Sequence, residues 1–212
     1  MTSASSQRSR PKPSALKQKV RAAARNEAAT SILDAAERAF AAEGIAGAAM
    51  QSIAQRAGTS VGTLYNYFAD KDALVRALFE DRHKRLAESI DAALTAHERH
   101  DFSTRLDVIV RAVLEHFDTH RAFLKVALVS DTVPLLKKRS AMMVLRTRFD
   151  DVVKAGVKEG VLDAKRARLA SAALSGTLRA LLLDGIDDDA RKFEAQVDDV
   201  VALFLHGAAR HG

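Results

Sequence analysis

The stretch Ile53–Phe68, with the sequence IAQRAGTSVGTLYNYF, constrains the fold of this chain more than any other segment. Apolar residues recur at helical spacing on both sides of Gly58, namely Ile53, Ala54 and Ala57 before it and Val61, Leu64 and Phe68 after it. Gly58 can end the first helix because glycine adopts a left-handed conformation at no steric cost, and Ser60 can cap the second helix. The pattern therefore predicts two short helices joined by a tight turn, which is a helix-turn-helix unit.

The face of the second helix that lies outside this apolar stripe is small, polar and aromatic. It carries Gly62, Thr63, Asn66 and Tyr67, whereas a solvated helix face usually carries lysine and glutamate. Hydroxyl and amide groups bond to phosphates and base edges, and a glycine allows close approach. The unit is therefore predicted to place its second helix in the major groove of DNA.

The segment Asn26–Leu74 resembles the DNA-binding domain of the tetracycline-repressor (TetR-like) family. The resemblance rests on ILDAAERAFAAEGIAG at 32–47, IAQRAG at 53–58 and GTLYNYFADKDAL at 62–74, in this order and at matching spacings. It implies a homodimeric transcriptional repressor that a small ligand releases from DNA. It does not identify the ligand.

The chain departs from the family at the start of the second helix. The family usually has Thr or Ser at one of the two positions that Ala48 and Ala49 occupy here. A hydroxyl group at that point would cap the helix and contact a phosphate, and alanine does neither. The second helix is therefore expected to lack a side-chain cap.

Nine residues are candidates for contacts with double-stranded DNA: Gln51, Ser60, Val61, Gly62, Thr63, Tyr65, Asn66, Tyr67 and Lys71. Glutamine and asparagine pair bidentately with adenine, and threonine contacts the thymine methyl group, so Gln51, Thr63 and Asn66 are assigned to base readout. The two tyrosines are assigned to phosphates, although one of them can instead lie partly in the core. The resemblance makes Lys71 a phosphate clamp at the start of the fourth helix.

The net charge of +6 belongs to the N-terminal segment. Residues 1–25 hold seven lysines and arginines and no acid, and the rest of the chain holds 26 basic and 27 acidic residues. Residues 1–24 are predicted to be a disordered basic tail. This tail is either an inert leader or an arm whose Arg21 and Arg25 enter the minor groove beside the reading helix.

The remaining pattern predicts an all-α fold of about nine helices, because it contains no strand alternation and no repeat. Residues 25–70 form the DNA-binding domain in this interpretation, and residues 71–212 form a helical domain for ligand binding and dimerisation. Outside the helix-turn-helix unit, the predicted helices span 25–43, 71–97, 102–119, 122–129, 134–160, 166–186 and 190–210. The helix at 71–97 is the expected mechanical link between the two domains. Three aspartates at 187–189 suit the N-terminus of the last helix.

The last two helices carry the predicted dimer interface. Its candidate residues are Ala172, Gly176, Ala180, Val197, Val201 and Phe204. Small residues let helices approach closely, and a helix-turn-helix reader needs two half-sites. By the resemblance, two helices from each subunit form a four-helix interface. The alternative is that both helix faces are buried within one chain.

An apolar effector pocket is predicted among the helices of the second domain. The candidate lining residues are Phe117, Phe123, Met142, Met143, Arg146 and Phe149. Methionine and phenylalanine suit an adaptable pocket, but each of them can also belong to an ordinary core. Arg146 faces either an acidic group of the ligand or solvent.

Catalytic, metal-binding and membrane-spanning functions find no support in the sequence. It contains no glycine-rich phosphate loop, nucleophile elbow or clustered carboxylate pair, so no enzyme activity and no cofactor are predicted. His116 and His120 have the spacing of metal ligands, but the chain has no cysteine and no evident third ligand, so no metal site is predicted. No apolar run approaches the ~18 residues of a membrane span, and the expected location is cytoplasmic.

The predicted function is a ligand-responsive repressor that binds a palindromic operator as a homodimer. Its effector is expected to be small and either apolar or amphipathic. The alternative is a DNA-binding dimer whose second domain only dimerises and takes no effector.

Overall fold

The computed structural model describes residues 15–129 and 141–208. Across these ranges it contains nine α-helices and no β-strand, which confirms the all-α prediction. The helices are α1 Ala15–Gly47, α2 Met50–Arg56, α3 Val61–Tyr67, α4 Lys71–Ala96, α5 Phe102–Thr119, α6 Arg121–Val129, α7 Ala141–Lys158, α8 Ala167–Asp184 and α9 Val197–Ala208. None of them is long and apolar enough to cross a bilayer.

The first three helices and the start of α4 form an N-terminal unit, here called the head, around one small apolar core. Its most buried side chains are Ile32, Ala36, Phe40, Ile53, Leu64, Leu74 and Leu78. Gly44 has a φ of 73° and breaks α1 near its C-terminal end, at the place where the sequence predicts the helix to stop. The chain can then turn back, so that α2 packs on α1 and α3 packs on α2.

The first helix begins earlier than the sequence analysis predicted. It starts at Ala15 rather than at Arg25, so the prediction of a disordered tail is wrong for residues 15–24. This segment, ALKQKVRAAA, consists mostly of strong helix formers and has no glycine or proline to stop the helix. The side chain of Arg21 and all of residues 1–14 lie outside the described part of the chain.

The other helices form the body, into which α4 runs without a break. In the body α4 packs on α5, α5 packs on α9, and α7 packs on α8, while α6 packs back against α1 of the head. The core between them is lined by Ile90, Phe102, Leu106, Ile109, Val113, Phe149, Leu174 and Phe193. The predicted link between head and body is therefore a single 26-residue helix.

The last helix begins at Val197 rather than near residue 190, after a short 3-10 turn. The three aspartates do not cap it, because Asp188 instead accepts the backbone N–H of Ala190 within the preceding loop. Phe193 is fully buried in that loop, and the centre of its ring lies 4.3 Å from the guanidinium carbon of Arg121. Tertiary anchoring of the loop therefore delays the start of α9. The predicted start of the seventh helix at Pro134 lies outside the described residues.

Candidate nucleic-acid interface

The helix-turn-helix unit has the turn and caps that its residues predict. Gly58 takes a φ of 68°, and the hydroxyl of Ser60 accepts the backbone N–H of Thr63 at 3.0 Å. Asp70 caps α4 by accepting the N–H of Ala73 at 2.6 Å. Ala49, at the N-cap of α2, makes no side-chain bond, as expected from the departure at this position. Local hydrogen bonds therefore hold α3 at a defined angle to α2.

The surface of α2 and α3 leaves two of the three predicted base-reading side chains exposed, Gln51 on α2 and Asn66 on α3. The exposed candidates are Gln51, Ser60, Gly62, Tyr65 and Asn66. The half-buried candidates are Val61, Thr63, Tyr67 and Lys71. Leu64 has no exposed surface and anchors α3 from its inner side. All nine residues therefore belong to the surface of the head or border its core, and their roles towards DNA stay predictions.

Tyr67 is the tyrosine that lies partly in the core of the head. It is half-buried and packs beside the apolar cluster, whereas Tyr65 is 46% exposed. The guanidinium carbon of Arg25 lies 5.7 Å from the centre of the Tyr67 ring, within the range of a cation–π contact. This contact places a positive charge from α1 beside the C-terminal end of α3.

Lys71 has a structural role that the sequence analysis missed. Its ammonium group donates to the backbone oxygens of Ile45 at 3.1 Å and of Ala46 at 2.9 Å. It thereby joins the start of α4 to the end of α1, where carbonyl groups lack helical partners. Because an ammonium has three N–H donors, one donor remains for a phosphate.

The helical head matches the family model for bacterial regulatory proteins of the tetR family over residues 32–78. The HTH-type transcriptional regulator TtgR of Pseudomonas putida is 29% identical over 180 residues, which cover 76% of this chain and 84% of that protein. The chain is a TetR-like transcriptional regulator. Its described part also contains no group of three or more His, Asp or Glu side chains placed to hold a metal ion.

Solved structures share the whole fold of this TetR-like chain. The fatty acid degradation regulator FadR from Bacillus halodurans has a TM-score of 0.74 and 24% identity, and the match covers 84% of this chain and 94% of that one. FadR from Bacillus subtilis, solved in complex with stearoyl-CoA, has a TM-score of 0.72 and 20% identity, with coverages of 84% and 98%. At these identities the likeness concerns the fold alone.

The structure divides the predicted dimer-interface residues of this TetR-like protein into two groups. Ala172, Gly176 and Ala180 are exposed along one side of α8. Val197, Val201 and Phe204 are instead buried in the single chain, because their side of α9 packs on α5 and α8, and their assignment to the interface stays a prediction. The outer side of α9 presents Leu203, which lines an apolar groove of about 230 Å³ together with α8 residues such as Leu169 and Ala173.

The predicted effector-pocket residues also fall into groups with different burial. Phe117, Phe123 and Phe149 are buried in the body core. Arg146 is exposed on α7, which fits the alternative of a solvated arginine, and its assignment to the pocket stays a prediction. The side chains of Met142 and Met143 lie outside the described part of the chain. Whether the three phenylalanines contact an effector stays a prediction.

Proposed function

We propose that this TetR-like regulator binds a palindromic operator as a homodimer, represses transcription there and is released by a small apolar or amphipathic effector. The head spans residues 25–70 and the body spans residues 71–212 in this proposal, and the start of α4 packs into the core of the head. The observation that carries the DNA-binding part is the uncharged, amide- and hydroxyl-bearing outer face of α3.

The surface around α3 does not repel phosphates. Residues 44–69 contain no carboxylate, and Glu43, the carboxylate just before this segment, is paired with Arg56 at 2.6 Å. A groove-reading helix needs such a surface because double-stranded DNA carries a negative charge about every 1.7 Å along its axis. Arg25, held on the Tyr67 ring, adds a positive charge next to this surface. Since α1 is helical from Ala15 onward, the basic residues between Ala15 and Arg25 would approach DNA on a helix rather than on a flexible arm.

Exposed apolar side chains on the last two helices support the dimer. Leu169 and Leu203 are 69% and 65% exposed in the single chain, on either side of the α8–α9 groove. Leucines clustered around an open groove favour burial against a second surface. A second copy of the same surface, related by a two-fold axis, would cover them and present two recognition helices to two half-sites.

We expect substitutions on the head to separate base readout from phosphate binding. The operator is first selected from a random duplex library with the full-length protein. Asn66→Ala should then cost ~1–3 kcal/mol on the selected site and little on random DNA. Arg25→Ala should weaken both alike and flatten the slope of log affinity against log salt by about two units, because the dimer carries the substitution twice and each lost phosphate contact contributes ~0.9. Equal losses on both DNAs for Asn66→Ala would contradict its assignment to base readout.

Release by an effector is tested with the operator selected above. FadR of Bacillus subtilis was solved with stearoyl-CoA, so the probes are stearoyl-CoA, a free long-chain fatty acid and free coenzyme A. A ligand of the folded protein raises its melting temperature, and at 100 times its Kd it adds about 2.7 kcal/mol of stability. Linkage then requires that ligand and operator weaken each other by the same factor. If a probe binds but leaves operator affinity unchanged, the alternative of a dimer without effector control is favoured.

A further inference from the structure

A buried ion pair joins the head to the link helix. Glu37 of α1 and Arg82 of α4 are 5% and 1% exposed, and the Nε of Arg82 donates to Oε2 of Glu37 at 2.7 Å. The sequence does not announce this pair. Glu37 stands on the polar side of α1, where solvent exposure is expected, and Arg82 interrupts an apolar stripe of α4. The two charges meet in the interior, where neither of them is solvated and each depends on the other.

The guanidinium group of Arg82 has no freedom to rotate away from this contact. One terminal nitrogen donates to Oδ1 of Asp34 at 2.5 Å, and the other donates to Oδ2 of Asp81 at 2.7 Å. All three nitrogens are therefore bonded to carboxylates, one of them on α4 itself and two on α1. A planar fork that is held at three points fixes the direction of the bond to Glu37.

The second oxygen of Glu37 reaches the body. Oε1 accepts the backbone N–H of Phe123 at 3.1 Å, and Phe123 is the third residue of α6. N–H groups in the first turn of a helix have no partner within the helix, so this bond satisfies a donor that would otherwise be buried and unpaired. The ring of His120 lies nearby, with Nδ1 at 3.7 Å from Oε2. One carboxylate thus binds α4 and α6 at the same time.

The apolar contact between head and body is incomplete. A cleft of about 310 Å³ opens along the contact of α1 with α6, and its lining includes Phe40, Ile45, Val126 and Ile186. Apolar contact is non-directional, whereas a charge-assisted hydrogen bond in a buried setting is strongly directional. The bonds of Glu37 are therefore directional contacts of this junction, beside the bond of Arg82 to Asp34.

We propose that Glu37 is a positioning residue for operator recognition, which holds the head at one angle on the body by bonding to Arg82 and to the N-terminus of α6. Rotation of the head about this junction moves α3 as a rigid unit. In a dimer the same angle sets the separation of the two recognition helices. The proposal concerns the orientation of the head in each protomer, so it does not depend on an effector.

Distances between spin labels on head and body test this proposal directly. The chain has no cysteine, so Gln55→Cys on α2 and Lys154→Cys on α7 introduce the only two labelling sites, and both positions are exposed. Labelled protein is diluted with unlabelled protein, so that the measured distance lies within one chain. We expect one narrow distribution in the parent and a broad distribution in Glu37→Gln. If only a tenth of the Glu37→Gln dimers hold both heads at the productive angle, operator affinity falls about tenfold.

Glu43→Gln is the matched control, since it removes a carboxylate from the same helix. Glu43 pairs with Arg56 inside the head and contacts no residue of the body in the described hydrogen bonds and ion pairs. This variant should keep the narrow distance distribution. Broadening of equal size in the control would overturn the proposal, and so would an unchanged distribution in folded Glu37→Gln.

A double variant separates positioning from simple stabilisation. If Glu37→Gln alone fails to fold, Glu37→Gln together with Arg82→Met removes both buried charges and should recover the fold. We expect this protein to regain the melting temperature of the parent but to keep the broad distance distribution. Recovery of the narrow distribution together with the melting temperature would show that the pair only stabilises the junction, and the positioning role would be rejected.

Discussion

Leu203→Glu is expected to convert the proposed homodimer into monomers and to abolish tight operator binding. Leu203 is 65% exposed on α9 and faces the groove that Leu169 lines from α8. In a two-fold interface each substitution appears twice, so two carboxylates would be placed in a surface that otherwise buries leucine. A charge without a partner is strongly disfavoured in such a setting.

The loss of affinity follows from the linkage between the two heads. When one head is bound, the second binds its half-site at a high effective concentration, which typically contributes a factor of about 10²–10⁴. A monomer loses this factor although its recognition helix is unchanged. Light scattering after size-exclusion chromatography measures the mass, and titration of the selected operator measures the affinity.

Val161→Glu provides the control for this experiment. Val161 is an exposed apolar residue of the turn before α8, and it does not line the groove. The same chemical change at this position should leave both mass and operator affinity as in the parent. A Leu203→Glu protein that stays dimeric and binds normally would mean that the α8–α9 surface is not the interface.

Moderate acid should destabilise the protein because two histidines are buried in the body. Burial lowers the pKa of His83 and of His116 to about 4, and the Nε2 atoms of both rings lie in the interior without a hydrogen-bond partner. Between pH 4 and 6.5 the unfolded chain binds protons at these positions and the folded chain does not. The free energy of unfolding therefore rises with pH across this window and falls on acidification.

The free energy of unfolding is expected to change steeply with pH although only two groups titrate. One imidazole contributes up to ~1.4 kcal/mol per pH unit, so both together approach ~2.7 kcal/mol per unit.

Glu37 affects stability in a different pH range. Burial alone would raise the pKa of Glu37, but its contacts with His120 and Arg82 outweigh this effect and lower it. The stability that Glu37 contributes is therefore present above the pKa of about 4.5 in the unfolded chain and is lost as the pH falls further.

Urea unfolding at several values between pH 4.5 and 7 measures this slope. His83→Leu should reduce it by about half, since an apolar side chain between the rings of Phe79 and Phe123 has no proton to exchange. His206→Gln changes an exposed histidine of α9 and should keep the slope of the parent. If His83→Leu and the parent have the same slope, His83 is not a source of the acid sensitivity.

The helix-turn-helix unit could be predicted from the sequence because its determinants are local. Gly58 takes the left-handed conformation in the turn, and Ser60 and Asp70 cap the helices that follow them by bonding to an N–H three residues ahead. The limits of α5, Phe102–Thr119, were also predicted, since a capping aspartate and an apolar stripe mark them. Each of these features is decided by residues within about one helical turn of one another.

Only the tertiary structure decided which helix faces turn inward. Periodicity identifies an apolar face on α9, but packing against α5 buries Val197 and Val201 and leaves Leu203 outside. The tertiary structure likewise decided which charged side chains are buried and paired. The partners of Glu37 lie 45 and 86 residues away in the chain, and their pairing arises only when α1, α4 and α6 meet. A sequence states the spacing of residues along one helix, whereas burial and ion pairing depend on distances between helices, which folding alone sets.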